Sequence, residues 1–341
     1  MELTPRKRAI MDAVVKAYIT TGEPIGSKLL CELLDMNVSS ATLRNEMSDL
    51  CEMGLLNQPH TSAGRVPTLD GFKLYVHDLM SPEPLSPEIR LAIDSMLETI
   101  AHTPEQMPEL GCQILADLTG LPSFGVTLSN ESAKIKRIRM IPMGKHTLLL
   151  VVISTDGIAK SRIVLTDSTV NEQLLSLYSN ICKVCIVGRR LSELNTAYLQ
   201  SIVARVGDFS LPVMTLLSTI FEIIGEIYEP QLCFRGESKL ISRNDGVKLS
   251  ELVSQKDALI SISSQLKTPV GVVFSDDFCH DLSGAAASIV VARYSTGGGN
   301  LGRIGVIGPS RVAYSTLIPS VEYFAGKLGQ LMTKATKDME E

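Results

Sequence analysis

A group of polar side chains suited to DNA recognition lies between residues 39 and 45. In the major groove, Arg44 can bind a guanine and Asn45 an adenine, each through two hydrogen bonds. Hydroxyl groups that can reach a base edge or a phosphate lie in the same stretch, on Ser39, Ser40 and Thr42. These residue types at this spacing predict a surface that binds double-stranded DNA.

A second polar group follows between residues 60 and 65. His60, Thr61, Ser62 and Arg65 lie at or beside a small tip that contains glycine, and their side chains suit a contact with the DNA backbone or the minor groove. Lys28, which precedes the first group, completes the predicted set of DNA-binding residues.

Three helices are predicted to hold the first polar group. The first runs from Pro5 to Thr20, where apolar residues recur at helical spacing. The second is short and capped by Gly26 or Ser27, and its predicted buried face consists of Leu29, Leu30, Leu33 and Leu34. The third begins at Ser39 or Ser40, both favourable N-cap residues, and its predicted inward side consists of Leu43, Met47 and Leu50.

A β-hairpin is predicted after the third helix, from the pairing of residues 55–59 with residues 65–67. Two short helices with a tight connection, followed by a hairpin, predict a winged helix-turn-helix whose second helix enters the major groove. A three-helix bundle with a polar surface helix is the alternative that periodicity alone leaves open.

The charge balance indicates that DNA binding must depend on a few well-placed groups. The chain has a formal net charge of −5 at pH 7, and residues 1–80 contain eight Lys and Arg against ten Asp and Glu. This part of the chain therefore has no bulk positive charge to attract DNA. Arg6, Lys7 and Arg8 form a local cationic cluster at the start of the first helix.

Beyond residue 80 the order of elements predicts an α+β fold. Residues 81–88 contain three prolines and are predicted to be a linker or a domain boundary. Two helices and then four strands in an antiparallel meander are predicted up to residue 165. A helical segment is predicted from residue 191, strands again from residue 270, and a last helix at about 313–337.

The most apolar helix is predicted from Leu211 to Tyr228, and two interpretations of it stay open. A helix that is apolar over most of its circumference must be buried on several sides. It is either an ordinary core helix or an interface between two subunits, with dimer contacts at Leu217, Phe221 and Ile224.

Several stretches carry a resemblance to a known family. They are residues 22–28, 39–47, 54–56, 59–68 and 71–72 near the N-terminus, and residues 305–311, 318–319 and 321–323 near the C-terminus. In these stretches the chain resembles the heat-inducible transcription repressor family HrcA. Cys51 departs from the family pattern, in which an acidic residue is expected there.

The resemblance implies a domain organisation. A winged helix-turn-helix DNA-binding domain is expected at 1–80, a linker at 81–88, and a GAF-like domain at 89–190 and 270–341. A mainly helical, inserted dimerising domain is expected at 191–269.

The resemblance also implies a function and partners. It implies a homodimer that binds an inverted-repeat operator of class I heat-shock operons, which encode the GroE chaperonin and the DnaK chaperone system. The GroE chaperonin is an implied partner that keeps the repressor active, so that heat relieves repression.

Three motifs that resemble chemical sites are predicted not to be such sites. Gly297, Gly299 and Gly302 match a dinucleotide-binding pattern but lead into a strand, which favours a hairpin turn. Cys182 and Cys185 lack the further ligands that zinc requires. The acidic residues of 276–281 are typical of a solvated loop. No cofactor, metal ion or enzymatic activity is therefore expected.

Two other classes of function are weighed against the repressor. In the first, a metabolite-responsive regulator senses a ligand in the GAF-like domain. In the second, an enzyme uses the cluster at 276–281. A cytoplasmic protein without a membrane partner is predicted for three reasons. The seven cysteines are scattered, no signal-peptide pattern is present, and no apolar run reaches the ~20 residues of a membrane helix.

Overall fold

The computed structural model describes residues 3–34, 38–60, 63–101, 106–128, 132–155, 158–206, 210–241, 256–266, 268–278, 287–297 and 300–338. The helices are α1 (Pro5–Thr21), α2 (Ser27–Leu33), α3 (Ser40–Glu52), α4 (Leu69–Leu74), α5 (Pro87–Glu98), α6 (Met107–Thr119), α7 (Glu172–Cys185), α8 (Thr196–Val206), α9 (Ser210–Tyr228), α10 (Ser238–Ile241), α11 (Lys256–Gln265), α12 (Ser275–Phe278) and α13 (Tyr314–Asp338). A π-helical turn, Tyr75–Leu79, continues α4, and a 3-10 turn, Leu191–Glu193, precedes α8.

The strands are β1 (Leu56–Asn57), β2 (Val66–Pro67), β3 (Ser123–Leu128), β4 (Ile135–Gly144), β5 (Thr147–Ser154), β6 (Ala159–Leu165), β7 (Gln231–Arg235), β8 (Val270–Phe274), β9 (Ala287–Gly297) and β10 (Asn300–Pro309). They form a hairpin β1-β2, a five-stranded sheet in the order β7-β3-β10-β9-β8 and a three-stranded sheet in the order β4-β5-β6, all antiparallel. A mixed α+β fold is thus confirmed.

The predicted four-stranded meander is wrong for its first strand. β3 pairs with β7 and β10, whereas β4, β5 and β6 form a sheet of their own. β7 was not predicted, although it completes one edge of the five-stranded sheet. Its partner in the sheet lies more than a hundred residues earlier, and pairing over such a distance leaves no local signal in the sequence.

The three N-terminal helices enclose a common core, as predicted. α1 contributes Ile10, Met11, Val14 and Val15, and the predicted inward residues of α3 are at most 3% exposed. The predicted buried face of α2 is wrong in part, because Leu29 and Leu33 are 38% and 51% exposed while Leu30 is buried. A helix of seven residues packs through one narrow side only, and that side contains Ser27 and Leu30.

This N-terminal unit shares its hydrophobic core with the layer of helices on the five-stranded sheet. The ring centroid of Phe72 lies 6.4 Å from that of Tyr314, and the ring centroid of Tyr314 lies 6.0 Å from that of Phe274. The predicted linker is also tied down, because the backbone N–H of Glu83 donates to the carbonyl of Ser315 at 2.8 Å. The N-terminal unit and the five-stranded sheet with its helices therefore pack around one continuous hydrophobic core.

A second, separate core lies between the three-stranded sheet and α7, α8 and α9. α9 occupies the segment predicted as the most apolar helix. The sequence-based division placed residues 133–190 with the GAF-like domain and began the insert at 191. The packing instead joins those residues to α8 and α9, since Ala133 and Ile227 belong to one cluster.

The last helix, α13, lies along the five-stranded sheet close to its predicted position. Its buried stripe includes Val321, Phe324 and Leu328. The other face of that sheet is covered by α11. None of the helices within the described ranges has the length and apolar character that a membrane crossing needs.

Candidate nucleic-acid interface

The start of α3, at its junction with α2, is fixed by two hydrogen bonds in which serine hydroxyls take part. Ser39 is the N-cap, and its hydroxyl oxygen accepts from the backbone N–H of Thr42 at 3.2 Å. The hydroxyls of Ser27 and Ser40 lie 2.8 Å apart and join the first turns of the two helices. These contacts set the angle at which the start of α3 is presented.

Arg44 and Asn45 lie exposed on the outer side of α3, opposite the buried Leu43 and Met47. Lys28 is exposed on α2. Among the described residues, none of these three side chains has an ion pair or hydrogen-bond partner. They are therefore available to a ligand.

Most of the other basic groups of the N-terminal unit already have a partner inside the chain. Lys7 Nζ lies 2.7 Å from both the Glu46 and the Asp49 carboxylates, and Arg6 pairs with Glu46 as well. Lys16 pairs with Asp12. The predicted cationic cluster thus serves mainly to hold α1 against α3.

Glu46 is the centre of this ion-pair network and is only 6% exposed. The hydrogen bond from Lys7 lowers the pKa of Glu46, against the opposing effect of burial, and Arg6 lowers it further. Hydrogen bonds to Asp49 and Glu46 raise the pKa of Lys7. The charges are therefore stable in the folded chain at neutral pH.

Glu46 was not among the residues predicted from the sequence, although its position in the helix gives a signal. Residue 46 lies three positions after Leu43 and four before Leu50, so helical spacing places it on the inward side of α3. A carboxylate at such a position requires a cationic partner.

The hairpin β1-β2 follows α3 and returns against the loop between α1 and α2. Arg65 and Ile25 exchange two backbone hydrogen bonds of 2.8 Å each. The approach depends on Gly64, since a Cβ there would lie 2.4 Å from the carbonyl of Ile25.

The hairpin residues predicted to bind DNA differ in their exposure. His60 is exposed at the tip, whereas Arg65 is half-buried. The Arg65 Nε atom is buried and has no hydrogen-bond partner within the described ranges. Thr61 and Ser62, also predicted to bind DNA, lie outside the described residues.

The predicted dimer contacts on α9 are mostly inside the chain's own core. Leu217 and Ile224 are 0% and 1% exposed, so a second subunit could reach them only by opening that core. Phe221 is half-buried. A group of exposed apolar side chains lies on the outer face of β4-β5-β6, where Ile163 and Leu165 are 63% and 72% exposed.

Two of the motifs that were predicted not to be chemical sites have structural roles within the described residues. Gly297 pairs with Asn300 at the β9-β10 connection, in agreement with a hairpin. The predicted loop is wrong for Asp276 and Asp277, which lie on α12, and their carboxylates bind Lys73 Nζ at 2.9 and 2.6 Å. Residues 279–281 of that acidic cluster lie outside the described residues.

Comparison with known proteins identifies the family. Residues 106–318 match the family model of the HrcA protein C-terminal domain. The heat-inducible transcription repressor HrcA of Clostridioides difficile (strain 630) is 32% identical over 337 residues, which cover 95% of this chain and 98% of that protein. The HrcA of Clostridium botulinum (strain Eklund 17B / Type B) is 29% identical over 343 residues, which cover 99% and 100%.

The crystal structure of a hypothetical protein shares the fold, with a TM-score of 0.63 at 23% identity over 98% of this chain and 99% of that one. The relatives are transcription repressors and not enzymes. This chain belongs to the HrcA family of heat-inducible transcription repressors.

Proposed function

We propose that the protein binds an inverted-repeat operator as a homodimer and that residues 1–80 act as a winged helix-turn-helix. The observation that carries this proposal is the exposure of Arg44 and Asn45 in the first half of α3, where neither side chain has a partner among the described residues. In a helix-turn-helix the start of the second helix faces base edges in the major groove.

The remaining residues of the set take supporting roles in the proposal. Ser39 and Ser40 orient α3 through their internal hydrogen bonds, and together with Thr42 they can still offer a hydroxyl to a phosphate. Lys28 and the hairpin residues His60, Thr61, Ser62 and Arg65 contact the backbone on either side.

The charge distribution of the unit suits recognition by few contacts. Its Arg6, Lys7 and Lys16 are paired internally, whereas Lys28 and Arg44 are exposed at the proposed surface without an ion pair among the described residues. Binding then depends on base contacts more than on bulk attraction, and its salt dependence should be shallow.

We propose that the inserted dimerising unit comprises residues 132–228 and that two copies meet through the outer face of β4-β5-β6. Leu149 lies in register between Ile141 on β4 and Ile163 on β6, and this apolar row crosses the whole sheet. Exposed apolar patches of this kind mark interaction surfaces. The dimer matches the two-fold symmetry of an inverted repeat.

The proposed targets are the class I heat-shock operons for the GroE and DnaK systems, and the proposed regulator is the GroE chaperonin. An apolar inserted unit offers a chaperonin hydrophobic surface when heat loosens it. The protein acts in the cytoplasm in this proposal, and the GAF-like domain is formed by the five-stranded sheet with its helices.

The test is an electrophoretic mobility shift with the inverted repeat upstream of the organism's own chaperone operon, at two salt concentrations. Loss of a bidentate base contact in Arg44→Ala should weaken binding by about 1–3 kcal/mol and relax specificity at one base pair. Lys16→Ala is the matched control, because Lys16 is paired with Asp12 on α1. Equal affinity of Arg44→Ala and wild type would refute the assignment of α3.

Ligand sensing is a second candidate function, favoured by a cleft of about 630 Å³ between the end of α1 and the start of α13. Ile19 and Leu317 give it apolar walls, and Arg311 gives it a guanidinium that also donates to the Ile19 carbonyl at 3.5 Å. An anionic metabolite there would contact both parts of the molecule. A rise in thermal stability with such a ligand, absent in Arg311→Ala, would support this function.

A further inference from the structure

Two cysteines from distant parts of the sequence meet beneath the edge of the five-stranded sheet. Cys112 lies on α6 and Cys233 on the edge strand β7, and their sulfur atoms are 3.1 Å apart. That separation is about 1 Å longer than a disulfide bond. The two sulfurs therefore need only a small shift to form a bond.

The backbone of β3 leaves room for this approach. Gly125 is the cross-strand partner of Cys233, and a Cβ at Gly125 would lie 2.8 Å from each of the two sulfur atoms. Any other residue at this position would force the sulfurs apart. The contact is thus built into three elements, α6, β3 and β7.

The two thiols differ in environment. Cys112 is fully buried, whereas Cys233 is half-buried. The hydrogen bond from the Cys112 thiol lowers the pKa of Cys233, and the same hydrogen bond together with burial raises the pKa of Cys112. Cys233 is therefore the thiol that ionises more readily and that a small oxidant reaches first.

We propose that Cys112 and Cys233 are an oxidation site that forms an intramolecular disulfide when the protein meets a peroxide. The Cys233 thiolate attacks one oxygen of hydrogen peroxide, the O–O bond breaks, and Cys233 becomes a sulfenic acid. The hydroxide that leaves takes up the proton that the Cys233 thiol lost on ionising, which gives the first water. The Cys112 sulfur then attacks the Cys233 sulfur, the S–O bond breaks, and the thiol proton leaves with the hydroxide as a second water. Two thiols and one peroxide thus give one disulfide and two waters.

The bond would join parts of the chain that already touch through charged groups. Lys239 Nζ, four residues beyond β7, lies 2.7 Å from Asp117 of α6, and Arg235 pairs with Glu109. Because the cysteines are 121 positions apart, the disulfide closes a loop that contains the whole 132–228 unit. Closing so long a loop restricts the unfolded chain and stabilises the folded one.

Cys182 of α7, which lies in the second core, provides a contrast. Burial raises the pKa of Cys182 to about 12, so its thiolate is scarce at neutral pH. Cys51, half-buried on α3, serves as a matched control because it lies in a different part of the molecule.

The test treats the full-length, reduced protein with hydrogen peroxide, blocks free thiols, and analyses an unreduced digest by mass spectrometry. We expect a loss of about 2 Da in the intact protein and one linked peptide pair containing Cys112 and Cys233. Cys51→Ser should form the bond as wild type does. Cys112→Ser should leave Cys233 as a stable sulfenic acid, which a dimedone probe detects.

A second measurement on wild type keeps the inference testable if a variant folds poorly. The oxidised protein should unfold roughly 5 °C higher than the reduced protein, and a reductant should reverse the shift. Linkage of other cysteines, or oxidation of Cys51 while Cys112 and Cys233 stay free, would overturn the proposal. So would a disulfide that leaves the unfolding temperature unchanged or lowers it.

Discussion

Replacement of Glu46 by Gln tests whether the network between α1 and α3 holds the proposed recognition helix in place. The substitution keeps the size of the side chain and removes its charge. In the folded chain Glu46 accepts from Lys7 at 2.7 Å and pairs with Arg6. The side chain of Glu46 is 8% exposed and that of Lys7 is 17% exposed. Water therefore has little access to replace the hydrogen bonds that the substitution removes.

The expected loss follows from the hydrogen bonds to charged groups. Such a bond contributes about 1.5–3 kcal/mol, and the contribution of the more exposed Arg6 is smaller. Glu46→Gln should therefore lower the free energy of unfolding by about 2 kcal/mol. For a chain of 341 residues this corresponds to a fall of roughly 3 °C in the unfolding temperature.

The assay is thermal unfolding followed by circular dichroism, with Asp49→Asn as the matched control. Asp49 also binds Lys7 at 2.7 Å, but its side chain is 54% exposed, so its replacement should cost less than about 1 kcal/mol. Equal unfolding temperatures for the two variants would refute the argument that burial gives Glu46 its importance.

The pH dependence gives an independent check on the same residue. The pKa of Glu46 is lowered in the folded state, below its ordinary value of 4.5. The stabilisation is therefore complete above that ordinary value and is lost as the pH falls through the lowered pKa. The difference between wild type and Glu46→Gln should be constant from pH 7 to about 5 and should shrink at lower pH.

Further predictions concern the hairpin, the junction and the dimer. Gly64→Ala should lower the free energy of unfolding in urea by about 2 kcal/mol, because the added Cβ would lie 2.4 Å from the backbone carbonyl of Ile25. Gly26→Ala should lower it much less, because a Cβ there would meet nothing within 4 Å. Lys73→Met should lower stability by under about 1 kcal/mol through lost pairing with Asp277, and 1 M salt should abolish the difference. Ile163→Asp should give a monomer in sedimentation with an unchanged far-UV spectrum; a persistent dimer would contradict the proposed interface.

The helices of the N-terminal unit were predictable because their determinants are local. The Ser39 cap and the spacing of Leu43, Met47 and Leu50 place α3 without any knowledge of its surroundings. The helical spacing gave a wrong prediction for Leu29, which is exposed, because α2 is too short to bury all of its leucines.

The arrangement of the strands was not predictable from the same information. Alternation of apolar residues locates β3 and β4 but does not state that they belong to different sheets. That division depends on β7 and β10, which pair with β3 although each lies more than a hundred residues later in the chain. The contact between Cys112 and Cys233 escaped prediction for the same reason, since each cysteine looks isolated in the sequence.

The continuity of the first core bears on how α3 is supported. Phe72 lies on α4, which follows the hairpin. The centroid of its ring lies 6.3 Å from that of Tyr18 on α1 and 6.4 Å from that of Tyr314 at the start of α13. Tyr314 is fully buried and also contacts Phe274 at the end of β8. Because these rings form one chain of contacts, the surface presented by α3 rests on the five-stranded sheet, and loosening of either part removes packing from the other.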